Sequence, residues 1–147
     1  MDLHSLDAAS KLFDMFPEWR SLARAGKAED GSEFLVIDVV APPQANVEYG
    51  LSVDTAGGDV TVGFDYYHAH FDQWVGDGEN FGTRAAVAFI RQIVSEEVAV
   101  ASWWKGAEWK GSTTVPAGAL PEKSWTTDFD RIRVRSWRGT LNADLAV

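Results

Sequence analysis

The stretch Asp59–Phe71, with the sequence DVTVGFDYYHAHF, decides the fold of this chain because apolar side chains alternate along it. In an extended strand, successive side chains point to opposite faces. The residues that share one face are Val60, Val62, Phe64 and Tyr66. The preceding stretch Asn46–Asp54, NVEYGLSVD, alternates in the same way, and Gly57 and Gly58 between the two indicate a tight turn. We therefore predict an antiparallel hairpin with Asp59–Phe71 as one continuous strand.

A third strand and a helix precede this hairpin. Glu33–Val40, EFLVIDVV, is rich in β-branched residues and is followed by Pro42 and Pro43, which predicts the first strand of a three-stranded meander. Earlier in the chain, Leu3–Ala25 carries apolar residues at three- and four-residue spacing, as on one side of a helix. Pro17 either breaks this helix or starts a second short one.

The second half of the chain also begins with a helix. Thr83 is predicted to cap a helix over Arg84–Glu97, whose apolar residues recur at helical spacing. Three more strands are predicted at Val98–Trp104, Glu108–Val115 and Asp130–Trp137. The order helix, three strands, helix, three strands predicts an α+β fold, in which helices pack on an antiparallel sheet, as a single domain over residues 1–147.

Composition narrows the class of function. The chain has 147 residues, 46% of them hydrophobic, no cysteine and a net charge of −9. A protein that binds nucleic acid needs excess Lys and Arg to displace counterions from phosphates, so the acidic balance argues against that class. No stretch resembles a membrane span or a signal peptide. We expect a soluble, cytoplasmic protein with a cationic protein partner, and neither nucleic acid nor membrane as its target.

The negative charge is concentrated in one segment. Between Lys27 and Arg84 the sequence has eleven Asp and Glu residues and no Lys or Arg, so the rest of the chain is nearly neutral. One explanation is the ordinary solvation of turns and strands. The other is a surface that attracts a basic partner.

The run Tyr67–Asp72, YHAHFD, holds the most distinctive polar side chains. If the strand continues through it, His68, His70 and Asp72 project from one face, and two imidazoles with a carboxylate form a known set of metal ligands. The remaining histidine, His4, is distant in the sequence. A metal-binding protein or metal-dependent enzyme that uses these three residues is therefore the alternative function.

Two other roles fit the same histidines. They continue the face of Val60 and Val62, which would place them at the rim of the core, hydrogen-bonded to backbone carbonyls or nearby acids. They would otherwise belong to a binding edge shared with the glycine-containing loop that follows, where aromatic and acidic side chains bind Arg and Lys of a partner. The predicted partner-binding residues are Tyr66, His68, His70, Asp72, Trp74, Asp77 and Glu79.

Tryptophan and arginine mark the second half of the chain. Trp103 and Trp104 are adjacent and point to opposite faces of a predicted strand, so one of them is a candidate for an exposed partner anchor. On the last predicted strand, a row formed by Arg131, Arg133 and Arg135 is expected to pair with the acidic meander or to face solvent.

The His-x-His-Phe-Asp run at residues 68–72, preceded by VTVGFDYY and followed by a glycine-containing loop and an amphipathic helix, resembles a pattern of small bacterial immunity proteins of polymorphic toxin systems. The resemblance extends over residues 33–100. It implies a non-enzymatic cytoplasmic inhibitor that neutralises a cognate toxin by direct binding, and that is often acidic when the toxin is a cationic nuclease. The motif residues His68, His70, Phe71 and Asp72 would contact the toxin or support the fold.

The expected function is that of an acidic, non-enzymatic binding protein without a cofactor, an immunity protein whose partner is a basic toxin domain. The chain has no G-x-S-x-G, G-x-x-x-x-G-K-[S/T], H-E-x-x-H or G-x-G-x-x-G motif.

Overall fold

The computed structural model describes residues 1–72, 81–121 and 128–146. Within these ranges the chain forms two α-helices and nine β-strands. The helices are α1 (Leu3–Met15) and α2 (Phe81–Val94). The strands are β1 (Arg24–Lys27), β2 (Glu33–Val39), β3 (Leu51–Asp54), β4 (Asp59–Phe64), β5 (Tyr67–Asp72), β6 (Val98–Lys105), β7 (Glu108–Pro116), β8 (Arg131–Arg135) and β9 (Ala143–Ala146). Short 3₁₀ helices cover Pro17–Leu22, Pro43–Ala45 and Ala56–Gly58.

The predicted order of helix, three strands, helix, three strands is wrong. Five strands lie between α1 and α2 and form one sheet in the order β1-β2-β3-β4-β5, and four strands follow α2 and form a second sheet in the order β7-β6-β8-β9. The sequence pattern does not predict β1 or β9 because each has only four residues, RAGK and ADLA, which are too few to establish an alternation. The fold is therefore mostly antiparallel β-structure in two sheets.

The stretch Asp59–Phe71 contains two strands where the alternation predicts one. A two-residue turn at Asp65 and Tyr66 separates β4 from β5. Asp65 has a φ of 51°, a left-handed conformation that Asp tolerates better than most residues. The turn breaks the predicted face, so that Val60 and Val62 of β4 are buried whereas the histidines of β5 are exposed.

The contacts of the described residues group into two compact units. The first comprises Met1–Val40, Gly50–Gly63 and His68–Ile90. In this unit α1 and the 3₁₀ helix at Pro17–Leu22 contact β2, so Pro17 does start a second short helix. Within α2, Thr83 is buried inside the helix, so its predicted role as the cap is wrong.

The second unit comprises Ala41–Tyr49, Phe64–Tyr67 and Arg91–Val147. Its sheet contains the predicted β6–β7 hairpin, and one face of the sheet is a hydrophobic core. The buried residues of this core are Ala99, Ala101, Trp103, Val115, Ile132 and Val134. Trp103 and Trp104 are 4% and 7% exposed, so neither is the exposed anchor considered above. The single domain over residues 1–147 stays a prediction.

Among the described residues, neither helix combines the length and the apolar character that crossing a lipid bilayer requires.

Candidate functional site

An aromatic cluster in the second unit is centred on Tyr66, one of the predicted binding residues. Its ring centroid lies 5.3 Å from that of Tyr49, 4.8 Å from that of Trp104 and 6.1 Å from that of Trp109. We call these four residues the Tyr66 cluster. Trp104 is buried and Tyr66 is half-buried, whereas Tyr49 is 57% exposed and Trp109 is 46% exposed. The cluster therefore presents two large aromatic side chains to solvent.

Arginines of β8 flank the cluster. The guanidinium carbon of Arg131 lies 5.6 Å from the centroid of the Trp104 ring, and that of Arg133 lies 6.0 Å from the centroid of the Tyr66 ring. At these distances a cation is attracted to the face of an aromatic ring. Tyr, Trp and Arg are also the residues most enriched where a few side chains dominate the affinity of a protein interface.

The turn that carries Tyr66 is held by its neighbour Asp65. The backbone N–H of Asp65 donates a 3.0 Å hydrogen bond to the carbonyl oxygen of Tyr49, and the N–H of Glu48 donates a 3.1 Å bond to Asp65 Oδ1. Burial raises the pKa of the Asp65 carboxyl, while the bond from Glu48 and the charges of Arg133 and Arg135 oppose that shift. Tyr49 and Tyr66 are thus fixed relative to each other by backbone contacts as well as by their rings.

The segment before Tyr49 is fixed by β8 and by the turn that follows β8. Nη2 of Arg133 and Nε of Arg135 donate hydrogen bonds of 2.9 and 3.1 Å to the carbonyl oxygen of Asn46. Asn142 Nδ2 donates a 2.8 Å bond to the carbonyl oxygen of Ala45. These hydrogen bonds hold the backbone beneath the cluster in place.

The hydroxyl of Tyr66 is also affected by its surroundings. Desolvation, and to a smaller extent the nearby carboxyl of Glu48, raises its pKa.

The predicted partner-binding residues are divided between the two units and a stretch outside the described residues. Tyr66 belongs to the second unit, and His68, His70 and Asp72 belong to the first. Trp74, Asp77 and Glu79 lie outside the described residues. The sequence places the whole set on one edge because the alternation predicts a continuous strand through Asp65.

His68 and His70 are exposed on β5, so the expectation that they lie at the rim of the core is wrong. Their ring centroids are 5.3 Å apart, and Nδ1 of His70 lies 2.9 Å from the hydroxyl oxygen of Thr61 on β4. The intervening turn explains the exposure, because it places the histidines beside the solvent-facing side chains of β4 rather than beside Val60 and Val62.

The three-ligand metal site is not formed. Within residues 1–72, 81–121 and 128–146, no group of three or more His, Asp or Glu side chains is arranged to hold a metal ion. His68 and His70 therefore do not share such a site with Asp72. The third histidine, His4, has its Nε2 3.3 Å from the carbonyl oxygen of Asp59.

The acidic segment is partly neutralised. Asp38 forms a 2.9 Å ion pair with Arg24, Glu33 lies 3.7 Å from the amino group of Met1, and Asp65 is buried. Among the residues of this segment that the structure describes, the exposed acids with no ion pair are Glu29, Asp30 and Glu48. Glu29 and Asp30 lie in the connection between β1 and β2, and Glu48 lies in the second unit, beside the Tyr66 cluster.

Sequence reasoning overlooks Tyr49, Trp109 and the contribution of β8. The alternation along Asn46–Asp54 predicts Tyr49 on the same face as Val53, which is buried, but β3 begins only at Leu51. The sequence does indicate that Trp109 is exposed, because the charged residues Glu108 and Lys110 lie on either side of it.

Comparisons of the chain with protein-family models, with curated proteins and with solved structures find no match.

Proposed function

We propose that the chain is a non-enzymatic protein-binding domain. We further propose that it is a cytoplasmic immunity protein that neutralises a toxin by direct contact, as the resemblance of its His-x-His-Phe-Asp run implies. The observation that supports binding is the Tyr66 cluster, in which Tyr49 and Trp109 are half-exposed and two arginines of β8 lie over the rings of Trp104 and Tyr66. The immunity role rests on the sequence resemblance and the acidic charge.

The Tyr66 cluster has the energetic properties of a binding surface. A large aromatic side chain buries on the order of 150–250 Å² when a partner covers it. Tyr49 and Trp109 already contact Tyr66, so little side-chain freedom is lost when a partner binds. Side chains of this kind typically contribute about 2 kcal/mol or more at the centre of an interface.

Charge has a different role from the aromatic contacts. The net charge of −9 and the exposed Glu29, Asp30 and Glu48 attract a basic toxin domain over a longer range. Such attraction mainly raises the rate of association, whereas buried aromatic contacts mainly lower the rate of dissociation. The two contributions can therefore be separated in a kinetic experiment.

The test is co-expression of the chain with the toxin domain encoded beside its gene, followed by measurement of growth and of the binding kinetics of the purified pair. Wild type is expected to restore growth and to bind the toxin. The Tyr49→Ala/Trp109→Ala double variant is expected to bind at least about tenfold more weakly and to dissociate faster. Leu120→Ala is the matched control, because Leu120 is a 58% exposed residue of the same unit.

A second variant tests the charge. Glu29→Lys/Glu48→Lys is expected to slow association and to weaken its dependence on salt, with little change in dissociation. The proposal of a protein-binding domain is contradicted if wild type does not bind the toxin. The assignment of the binding surface is contradicted if the aromatic variant binds as tightly as Leu120→Ala.

A further inference from the structure

The two exposed histidines of β5 have the separation that a shared metal ion requires. His68 and His70 are two residues apart on a strand and so project from the same face. Their ring centroids are 5.3 Å apart. For Zn²⁺ bound by Nε2 of both rings at a tetrahedral angle, metal–nitrogen bonds of ~2.0–2.1 Å place the centroids about 5.2 Å apart. For Cu²⁺ with the two nitrogens at about 90°, the same bonds place them about 4.5 Å apart.

A hydroxyl on the neighbouring strand orients one of these rings. Thr61 Oγ1 lies 2.9 Å from Nδ1 of His70. When Nδ1–H donates to that oxygen, the lone pair of the ring is on Nε2, which is the nitrogen free to bind a metal. Histidine ligands usually make such a bond through their other nitrogen, which fixes both the tautomer and the ring orientation.

The backbone beneath the pair is held in place. β5 is the last strand in the order of its sheet and adjoins β4, which carries Thr61. The ring centroids of Phe71 and Phe89 are 5.6 Å apart, so α2 packs on β5 next to His70. Gly82 of α2 permits a closer approach, because a Cβ at this position would lie 2.8 Å from the carbonyl oxygen of Phe71. The backbone that carries the two histidines is therefore supported by β4 and α2.

We propose that His68 and His70 form a surface site for a divalent first-row transition metal, with two imidazole nitrogens as protein ligands and water at the remaining positions. Imidazole pairs bind Cu²⁺ more tightly than Ni²⁺ or Zn²⁺. Asp72 is half-buried and engaged in another interaction, so it is not included among the ligands. This site differs from the three-ligand set, which the described residues do not form, and it is independent of the proposed binding of a toxin.

The test is titration of the full chain, purified without an affinity tag, with Cu²⁺, followed by calorimetry and by electron paramagnetic resonance. Wild type is expected to bind one Cu²⁺ ion with the splitting pattern of two imidazole nitrogens. His68→Gln and His70→Gln should each weaken binding at least about tenfold, and Thr61→Val should weaken it by about tenfold because it removes the orienting hydroxyl. Since both histidines are exposed, circular dichroism should show unchanged folding.

His4→Gln is the matched control, because it removes the remaining histidine and is expected to leave the two-nitrogen signal unchanged. Zn²⁺ should raise the melting temperature of wild type but not that of the His68→Gln/His70→Gln variant. The proposal is overturned if wild type binds no Cu²⁺, or if the double variant retains both the affinity and the nitrogen splitting of wild type. The second result would place the ion at the N-terminal amine or at His4.

Discussion

Nη2 of Arg133 on β8 lies 3.7 Å from Oδ1 of Asp65, in the turn between β4 and β5. The Asp65 side chain is completely buried, and within the described part of the chain neither its Oδ2 nor Nε of Arg133 has a hydrogen-bond partner. An ion pair at this distance offsets only part of the cost of burying a carboxylate. This imbalance agrees with the raised pKa of Asp65.

Asp65→Asn is expected to change the pH dependence of stability. A carboxyl whose pKa is raised by folding contributes stability that is complete below its ordinary value of 3.8 and is lost as the pH rises through the raised value. Asn does not titrate, keeps an oxygen for the N–H of Glu48 and tolerates the left-handed turn. The free energy of unfolding of wild type minus that of the variant should therefore decrease with pH across this interval, in urea titrations between about pH 3 and pH 8.

Asp65→Ala provides the comparison for that experiment. It removes the acceptor for Glu48 and places alanine at a φ of 51°, so we expect a loss of about 2–3 kcal/mol in the free energy of unfolding at neutral pH. A difference between wild type and Asp65→Asn that does not vary with pH would show that this carboxyl keeps its ordinary pKa in the folded chain.

Glu96 should have the opposite pH dependence. Desolvation raises its pKa, but hydrogen bonds to its carboxylate from Ser136, Thr140 and Arg138 outweigh that effect and the net pKa is lowered. The stability that Glu96 contributes is present above its ordinary value of 4.5 and is lost as the pH falls through the lowered value. Glu96→Gln should lack this loss in acid, as measured by urea unfolding at a series of pH values.

The size of the contribution of Glu96 to stability follows from the hydrogen-bond donors that its carboxylate accepts. Oε2 accepts bonds from the hydroxyl of Ser136 and from the backbone N–H of Thr140, and Oε1 lies 3.1 Å from Nε of Arg138. Glu96→Ala leaves these donors without their acceptor, so we expect a loss of about 3 kcal/mol. Glu97→Ala, at the adjacent exposed position, should change stability by less than about 0.5 kcal/mol. Equal effects of the two variants would contradict this role of Glu96.

Replacing Gly139 and Gly118 by alanine distinguishes the cost of a steric clash from the cost of backbone strain. Their φ angles are 77° and 78°, but a Cβ at Gly139 would lie 2.1 Å from the carbonyl oxygen of Gln44, whereas no atom of the described residues lies within 4 Å of a Cβ at Gly118. Gly118→Ala should therefore cost about 1 kcal/mol from strain alone. Gly139→Ala should cost about 3 kcal/mol or more because the segment before Tyr49 must also move. Chemical denaturation measures both, and similar losses would show that residues 41–49 are not held against this turn.

The elements that could be predicted are those specified by local sequence. The β6–β7 hairpin has an apolar strand before Gly106 and a strand that contains Thr and Val after it, and α2 has a clear apolar face, so both could be predicted from local sequence. The reversal at Asp65 does not, because Tyr66 and the two histidines keep the alternation regular across a turn that lacks glycine. A change of direction within a regular pattern moves every later side chain to a different environment.

The candidate site could be predicted only in part for a related reason. Tyr66 stands out in the sequence, but its contacts with Tyr49, Trp104 and Trp109 join residues from three separate stretches. Such convergence depends on how the 41–49 segment and the β4–β5 turn lie over the sheet that contains β8. Periodicity describes which face of an element is apolar, but it does not identify the distant residue that packs there.

The Tyr66 cluster should separate into residues needed for folding and residues left free for binding. Tyr49 and Trp109 are 57% and 46% exposed, so Tyr49→Ser and Trp109→Ser should each cost about 1 kcal/mol or less. Tyr66 lies between Tyr49, Trp104 and Trp109 and in contact with Arg133, so Tyr66→Ala should cost about 2–3 kcal/mol. Urea denaturation of the three variants would measure this difference, with Tyr66→Phe as the control that keeps the ring. If Tyr49→Ser or Trp109→Ser unfolded the chain as readily as Tyr66→Ala, the exposed rings would be part of the core and would not be available to a partner.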